Sequence, residues 1–240
     1  MGRSLLKVRA LMRREAGVYF LSPMAYVFAA LFLLLTGYFF SVMIMSSQYI
    51  EMRSILHNMV VIFLFVAPVL TMRLMAEERR MGTEELLMTA PLTAFQIVLG
   101  KFLAAVVFWV LLLAATAVYP IILQVFGNPE VIPILTGYLG VILAGSTFLA
   151  LGLFASSLTD NQVIAGVVSF TMLLILWVIG LAGESAGGVT GQVLKNLSFI
   201  EHLQDFPKGI IDFSDVLFYL SAIAVFLFLT TRSLERRRWS

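Results

Sequence analysis

Two adjoining stretches decide the fold of this chain. Residues 54–72 read SILHNMVVIFLFVAPVLTM, and residues 73–93 read RLMAEERRMGTEELLMTAPLT. The first stretch has 19 residues without a charged side chain, within the roughly 17–25 residues that a helix needs to cross a hydrocarbon core. In the second stretch, six of the nine residues between 77 and 85 are charged, with both signs present. The pair therefore predicts a membrane-spanning helix followed directly by a charged segment outside the hydrocarbon.

The composition places the rest of the chain in the membrane as well. Of the 240 residues, 60% are hydrophobic and only 12% are charged, against roughly 25% charged residues in soluble domains. A water-soluble fold of this size could not bury so much apolar surface, which excludes most soluble enzymes and nucleic-acid binders. Disulfides and cysteine-ligated metals are excluded because the chain has no cysteine.

Six uncharged windows predict six transmembrane helices in an all-α integral membrane protein. They cover residues 16–50, 54–72, 102–129, 131–159, 161–183 and 216–231. The last window has 16 residues and is marginal in length, but Phe213 and the apolar stem of Arg232 can extend it.

The basic residues orient these helices. With an even number of spans, thirteen of the sixteen lysine and arginine residues fall on one side of the membrane, and only Arg53, Lys195 and Lys208 fall on the other. Basic residues concentrate on the cytoplasmic side of membrane proteins, so both termini are predicted to be cytoplasmic. The first apolar stretch is too long for a cleavable signal peptide.

Local sequence patterns predict how several helices begin, end and pack. Gly82 is expected to end the helix that descends from the second span. The segments Thr93–Gln96 and 159–162 both read as capping boxes, which open the third and fifth spans. In the fourth span, small residues at four-residue spacing predict close helix packing; they are Gly140, Ala144, Ser146, Ala150, Gly152 and Ser156.

The N-terminal segment, residues 1–22, is predicted to form an amphipathic helix. Its apolar residues share one helical face, with basic residues around the other side; the apolar ones are Leu5, Val8, Met12, Ala16 and Tyr19. Such a helix is expected to lie in the cytoplasmic membrane interface. It could serve only as a topology anchor, or it could also contact a partner.

Two other segments lie outside the spans. In residues 73–93, Thr83 can cap a second short helix and Pro91 can stop it, which predicts a cytoplasmic helix-loop-helix. The alternative is a solvated connecting loop. Residues 184–215 mix apolar and charged residues, which suggests two short helices dipping into the outer interface, or else a surface cap without a transport function.

Several motifs together resemble one family. They are RRE at 13–15 with YFLSPMAYV at 19–27, TMRLMAEERRMGTEELL at 71–87 with TAPLT at 89–93, SSLTDNQ at 156–162, and RSLERR at 232–237. On these residues the whole chain resembles the transmembrane subunit of a type-2 ABC exporter, most like the permease of the gliding-motility-associated lineage.

The resemblance implies a single ABC type-2 transmembrane domain over residues 1–240. It would have an elbow helix in residues 1–22, a coupling helix in residues 73–93 between spans two and three, and short re-entrant helices in residues 184–215 before span six. Two such subunits, as a homodimer or a heterodimer, would work with two ABC ATPase subunits in a bacterial inner membrane. A further membrane component often accompanies this lineage.

The chain is predicted to be a transport subunit without a catalytic site, cofactor or metal of its own. Gly100 and Lys101 resemble the end of a phosphate-binding loop, but Phe95 stands where the loop needs glycine and Phe102 where it needs serine or threonine. No His-Glu-x-x-His motif is present. ATP and Mg²⁺ would therefore be bound by the partner ATPase.

The energy of ATP hydrolysis by the partner is predicted to reach the permease through the charged segment of residues 73–93. The expected ATPase contact comprises Glu77, Glu78, Arg79, Arg80, Gly82, Thr83, Glu84 and Glu85. Secondary contacts are expected on the elbow at Arg13, Arg14 and Glu15.

Two other classes of protein remain open. An ion-coupled carrier or channel usually has ionisable residues within its spans, whereas all six predicted span centres here lack charge. A non-transporting membrane scaffold is the third possibility.

Overall fold

The computed structural model describes residues 2–46, 52–83, 92–126 and 130–238. Within these ranges every regular element is helical, as predicted. In chain order they are α1 (Gly2–Leu21), α2 (Pro23–Ser46), α3 (Met52–Thr71), α4 (Arg73–Arg80), α5 (Ala94–Thr116), α6 (Val118–Phe126), α7 (Val131–Leu158), α8 (Gln162–Ala186), α9 (Gly188–Asn196), α10 (Phe199–Leu203), a 3₁₀ turn (Phe206–Lys208) and α11 (Phe213–Arg238).

Six helical stretches in the described part are long and apolar enough to cross a membrane, which confirms the predicted number. They are Pro23–Met45, Met52–Arg80, Ala94–Val125, Val131–Leu158, Gln162–Ser185 and Phe213–Arg237. The second stretch joins α3 and α4 and has 29 residues, so it is about 44 Å long at 1.5 Å per residue. Since the hydrocarbon core is only about 30 Å thick, one end must project from it, and the charged residues make α4 that end.

The helix α7 lies at the centre of the bundle, in contact with α3, α5, α8 and α11. Its small residues let these neighbours approach closely, as predicted. A Cβ atom at Gly152 would collide with the side chain of Thr71, and one at Gly145 would collide with the indole of Trp109. The small residues of α7 are therefore used for packing within the subunit.

The helix α1 packs lengthwise on the first turns of α5. Leu11 lies against Gly100, and the ring of Tyr19 stacks on Phe108 with 5.4 Å between centroids. The buried face includes Val8, as predicted, and also Leu11 and Glu15. The helix is amphipathic, but its buried face contains a carboxylate that the apolar pattern does not anticipate.

Four segments meet at one end of the bundle, which we call the basic end. They are α1 with the first turns of α5, the helix α4, the turn between α7 and α8, and the C-terminal part of α11. Both terminal helices therefore reach the bundle at the same end, as an even number of spans predicts.

At the opposite end, the segment before α11 packs back on the bundle. It forms the two predicted short helices, α9 and α10, and also the 3₁₀ turn. The hydroxyl of Thr136 in α7 donates to the carbonyl oxygen of Phe206 at 2.6 Å. The hydroxyl of Tyr219 in α11 donates to the carbonyl oxygen of Phe199 at 2.7 Å. These bonds attach the segment to two spans.

One of the two predicted capping boxes is confirmed and the other is wrong. At the start of α5, Thr93 and Gln96 exchange both hydrogen bonds of a capping box. At the start of α8, the N-cap is Asn161, whose side-chain oxygen accepts from the backbone N–H groups of Val163 and Ile164. Thr159 lies outside the helix and accepts only from the Asn161 N–H. The backbone of Asn161 is still extended, so α8 begins at Gln162, two residues later than a Thr159 cap requires.

The Asn161 cap predicts an asymmetry between two neighbouring substitutions. We expect Asn161→Ala to lower the free energy of unfolding by about 1 kcal/mol, because two N–H groups of the first turn lose their acceptor. Thr159→Ala should cost less than about half of that. Thermal unfolding of both variants in detergent measures the difference, and equal shifts would contradict the assignment of the cap.

Candidate functional site

A buried lysine is the centre of the site at the basic end. Because α5 begins at Ala94, Lys101 lies two turns inside an apolar helix, and only 1% of it is exposed. Its ammonium Nζ lies 3.0 Å from Glu15 Oε2 and 2.6 Å from Glu78 Oε1. A buried ammonium is costly unless it is paired. The three residues, which we call the Lys101 triad, therefore connect α1, α4 and α5.

A serine fills the break between α3 and α4. The hydroxyl of Ser156, fully buried near the end of α7, accepts from the N–H groups of Met75 and Ala76, both at 3.1 Å. It donates to the carbonyl oxygen of Met72 at 3.0 Å. The backbone groups freed where the helix is interrupted are thus satisfied by α7.

An arginine fixes the other side of α4. The side chain of Arg79 is 3% exposed, and its Nη1 donates to the carbonyl oxygen of Ser157 at 2.5 Å and lies 3.8 Å from Asp160. The C-terminal helix reaches the same turn, since Arg237 donates to Asp160 at 3.0 Å. Ser233 donates to the Ser157 carbonyl oxygen, also at 3.0 Å. Buried or partly buried polar contacts therefore attach α4 to α1, α5 and α7, and α11 to the end of α7. An exposed pair also joins α11 to the turn after α7.

The residues predicted to contact the ATPase fall into two groups, those whose side chains point into the bundle and those that are at least partly exposed. Glu15, Glu78 and Arg79 point inward, into the triad or toward the α7–α8 turn. Arg80 is exposed. Glu77 is partly exposed and lines a cavity beside the triad. Both Arg13 and Arg14 of α1 are exposed.

The end of α4 follows the predicted pattern. The helix ends at Arg80, and Gly82 has a φ of 68°, a conformation that glycine adopts without strain. The Thr83 hydroxyl donates back to the carbonyl oxygen of Glu78 at 3.2 Å. Glu84 and Glu85 lie outside the described residues.

Three residues of the site were not predicted: Lys101, Ser156 as a hydrogen-bonding group, and Asp160. The signal for Lys101 was present, because the Thr93 capping box starts the helix eight residues before it. Ser156 was assigned only to helix packing. Asp160 has no local signal, since its partners Arg79 and Arg237 are distant in sequence.

The cavity beside the triad has a volume of about 410 Å³ and opens between α1, α2, the α3–α4 junction and α5. Tyr19 borders it, with a buried hydroxyl that has no hydrogen-bond partner within the described ranges. Burial, and then the negative charge of Glu15, raise the pKa of the Tyr19 hydroxyl well above its ordinary value. The hydroxyl therefore stays protonated and uncharged.

The comparison with known proteins identifies the family. Residues 28–239 match the family described as ABC-2 family transporter protein. The chain belongs to the ABC-2 transporter family. No curated protein matches it. As an ABC-2 protein, it is a multi-pass membrane permease of an ABC transporter, and such permeases generally work with an ABC ATPase subunit.

The family match includes most of the site but not α1. It includes α4, Lys101, Ser156 and Asp160, but it begins after α1. The Lys101 triad thus joins two residues of the family region to Glu15, which lies in the preceding helix. Among the described residues, no group of histidine, aspartate and glutamate side chains could hold a metal ion.

Proposed function

We propose that this ABC-2 permease is the membrane-spanning subunit of an ATP-driven exporter, energised by a separate ABC ATPase that binds ATP and Mg²⁺. The observation that carries the proposal is the attachment of α4. This charged helix is held by polar contacts to α1, α5 and α7 at the same time. A segment that served only to connect two spans would not need these contacts.

The attachments suggest how motion would pass from the ATPase to the spans. A push on the segment after α4 moves α4 as a rigid helix, because Ser156 keeps its first turn bonded to α7. Lys101 passes the displacement to α5, and the helix continuing into α3 passes it to the second span. Packed helices that shift as units against a second permease subunit can open or close a path between them.

The directions of the side chains refine the predicted contact. We assign the direct ATPase contact to the exposed end of α4 and the residues after it, with Arg80, Gly82, Glu84 and Glu85 foremost. Glu78 and Arg79 then act as positioning residues. On α1, Arg13 and Arg14 supply the secondary contact, while Glu15 anchors α1 to the triad.

The topology follows from the placement of charge. We assign the basic end to the cytoplasm of a bacterial inner membrane, with α1 as the elbow helix, the segment containing α4 as the coupling segment, and α9 and α10 as re-entrant helices at the outer face. The motif resemblance supports the gliding-motility-associated lineage, a homodimer or heterodimer of permeases, and an accessory membrane component.

Charge reversal at the contact tests the proposal. We expect Glu84→Lys combined with Glu85→Lys to reduce ATPase recovery by about tenfold or more, because like charges facing each other across an interface are unfavourable and a tenfold loss needs only about 1.4 kcal/mol. The measurement is the amount of ATPase that co-purifies with the tagged permease after co-expression with a candidate ABC ATPase from the same genome. Thermal unfolding of the permease should be unchanged.

The control variant is Glu130→Lys. It reverses one carboxylate, half of the charge change in the double variant, at an exposed residue before α7, at the opposite end of the bundle, and it should leave ATPase recovery intact. Equal recovery from both variants would show that the contact is elsewhere. Transport by the reconstituted permease without any ATPase would favour an ion-coupled carrier or channel instead.

A further inference from the structure

The cavity beside the Lys101 triad has two kinds of wall. Toward α2 and α3 it is apolar, with Met24, Phe28 and Val69 among its lining residues. Toward α1 and α4 it is charged. Its volume of about 410 Å³ is within the range of ordinary small-molecule sites, roughly 300–1,000 Å³. One apolar wall and one charged wall, at the end of a membrane-spanning bundle, match a molecule with a polar head and an apolar tail.

Six charged side chains line the cavity, and only half of them form ion pairs with one another. These are Glu15, Lys101 and Glu78 of the triad. The others are Arg14, Arg73 and Glu77. Arg14 interacts electrostatically with Glu78, but none of the three side chains makes a hydrogen bond or a close ion pair in the part of the chain that the structure describes. Within that part, the buried Nε of Arg73 is also without a hydrogen-bond partner.

The side chains of Arg14, Arg73 and Glu77 are suited to a ligand that carries both a phosphate and an amine. Two guanidinium groups are suited to a phosphate, to which arginine donates several charge-assisted hydrogen bonds. The single carboxylate of Glu77 is suited to a primary ammonium. The six lining charges sum to zero, so a ligand without net charge enters at the lowest electrostatic cost.

We propose that this cavity binds the headgroup of phosphatidylethanolamine, with the phosphate at Arg14 and Arg73 and the amine at Glu77. The first carbons of the acyl chains lie along Met24 and Phe28. Met24 is 44% exposed, so the acyl chains leave the cavity along the outer surface of the bundle. The site is formed by the permease alone, but it shares Arg14 with the proposed secondary ATPase contact, so lipid retention is measured on the permease purified without an ATPase.

Three lipids with matched acyl chains distinguish this headgroup from its neighbours. Phosphatidylcholine has the same charges, but its quaternary amine cannot donate a hydrogen bond to Glu77. Phosphatidylglycerol adds a net negative charge. We expect native mass spectrometry of the detergent-purified permease to show phosphatidylethanolamine retained several-fold more than either competitor.

Single substitutions test the residues. Arg73→Gln should lower phosphatidylethanolamine retention by about tenfold, the loss expected for a charge-assisted hydrogen bond. Glu77→Gln should instead remove the preference over phosphatidylcholine. The matched control is Arg13→Gln, which removes an exposed arginine that neighbours Arg14 in sequence but does not line the cavity, and it should retain the lipid as the parent chain does.

Three other results would contradict the proposal. Equal retention of all three lipids, unchanged by Arg73→Gln, means that the permease carries only a general lipid shell. A preference for phosphatidylglycerol contradicts the neutral charge balance. Displacement of the lipid by micromolar sn-glycero-3-phosphoethanolamine identifies a free headgroup, and not a lipid, as the ligand. Thermal unfolding of Arg73→Gln and Glu77→Gln separates a lost site from a lost fold.

Discussion

We expect Lys101→Met to lower the free energy of unfolding by about 3–5 kcal/mol, the usual cost of removing one partner from a buried ion pair. Methionine fills a volume similar to that of lysine, so the loss of stability comes from the missing positive charge. Without the ammonium, Glu15 and Glu78 face each other across a buried site with no cation between them. The contacts that attach α1 and α4 to α5 through this residue disappear together.

Thermal unfolding in detergent measures this loss. For a chain of this length, 1 kcal/mol corresponds to about 2–4 °C, so the midpoint should fall by about 6–20 °C. Arg80→Met is the matched control, because it removes a cation from the exposed end of α4. It should change the midpoint by no more than about 2 °C.

Neutralising the carboxylates should restore most of the loss. In the triple variant Lys101→Met, Glu15→Gln and Glu78→Gln, no buried charge remains uncompensated, and neutral replacements of buried ion pairs are often well tolerated. We expect at least half of the lost stability to return. If the triple variant is less stable than Lys101→Met alone, the carboxylates are not the source of the loss.

The spans could be predicted from the sequence because the membrane imposes a minimum apolar length on every helix that crosses it. An uncharged run such as residues 54–72 satisfies that length by itself, without reference to any other part of the chain. The end of α4 was predictable for a similar reason. Gly82 allows a left-handed conformation locally, so its effect does not depend on the packing around it.

The Lys101 triad could not be predicted in the same way. Glu15 and Lys101 are 86 residues apart, and no periodicity relates two helices that meet only in the folded bundle. The uncharged window that predicts the third span begins at residue 102, which leaves Lys101 just outside it. The Thr93 capping box already placed it inside α5, but a lysine there is stable only because two carboxylates reach it.

The start of α8 shows a different limit. Three consecutive residues in the segment SSLTDNQ, Thr159, Asp160 and Asn161, are of types that cap helices, and the capping-box pattern favours the first. In the structure, Arg79 and Arg237 hold Asp160 in the turn before α8. Helical geometry then starts only after Asn161. The cap that forms is therefore Asn161, next to the long-range charge pairs of Asp160, and not Thr159, which the local pattern favours.

We expect Ser156→Ala to be nearly as damaging as Lys101→Met. It removes a hydroxyl that accepts from two backbone N–H groups and donates to a carbonyl oxygen at the α3–α4 junction. A buried polar group left without a partner costs about 1–3 kcal/mol. Because the helix can relax to satisfy some of these groups, the total loss in the free energy of unfolding should be about 2–4 kcal/mol.

The neighbouring serine is the matched control. Ser157 is also fully buried, but its hydroxyl donates only to the carbonyl oxygen of Phe154 in its own helix, at 2.7 Å. The contacts of Ser157 with Arg79 and Ser233 use its backbone carbonyl oxygen, which alanine retains. Ser157→Ala should therefore change the free energy of unfolding by no more than about 0.5 kcal/mol.

Hydrogen exchange locates the effect of Ser156→Ala. The amides of Met75 and Ala76 donate to the Ser156 hydroxyl, so they should exchange faster in Ser156→Ala than in Ser157→Ala, with the rest of α3 much less affected. Faster exchange throughout α3 and α7 would instead indicate a general loosening of the bundle. Unchanged exchange at both amides would show that α4 keeps its first turn without α7. The route by which α4 passes motion to the centre of the bundle would then have to run through Lys101, Arg79 and the continuation of the helix into α3.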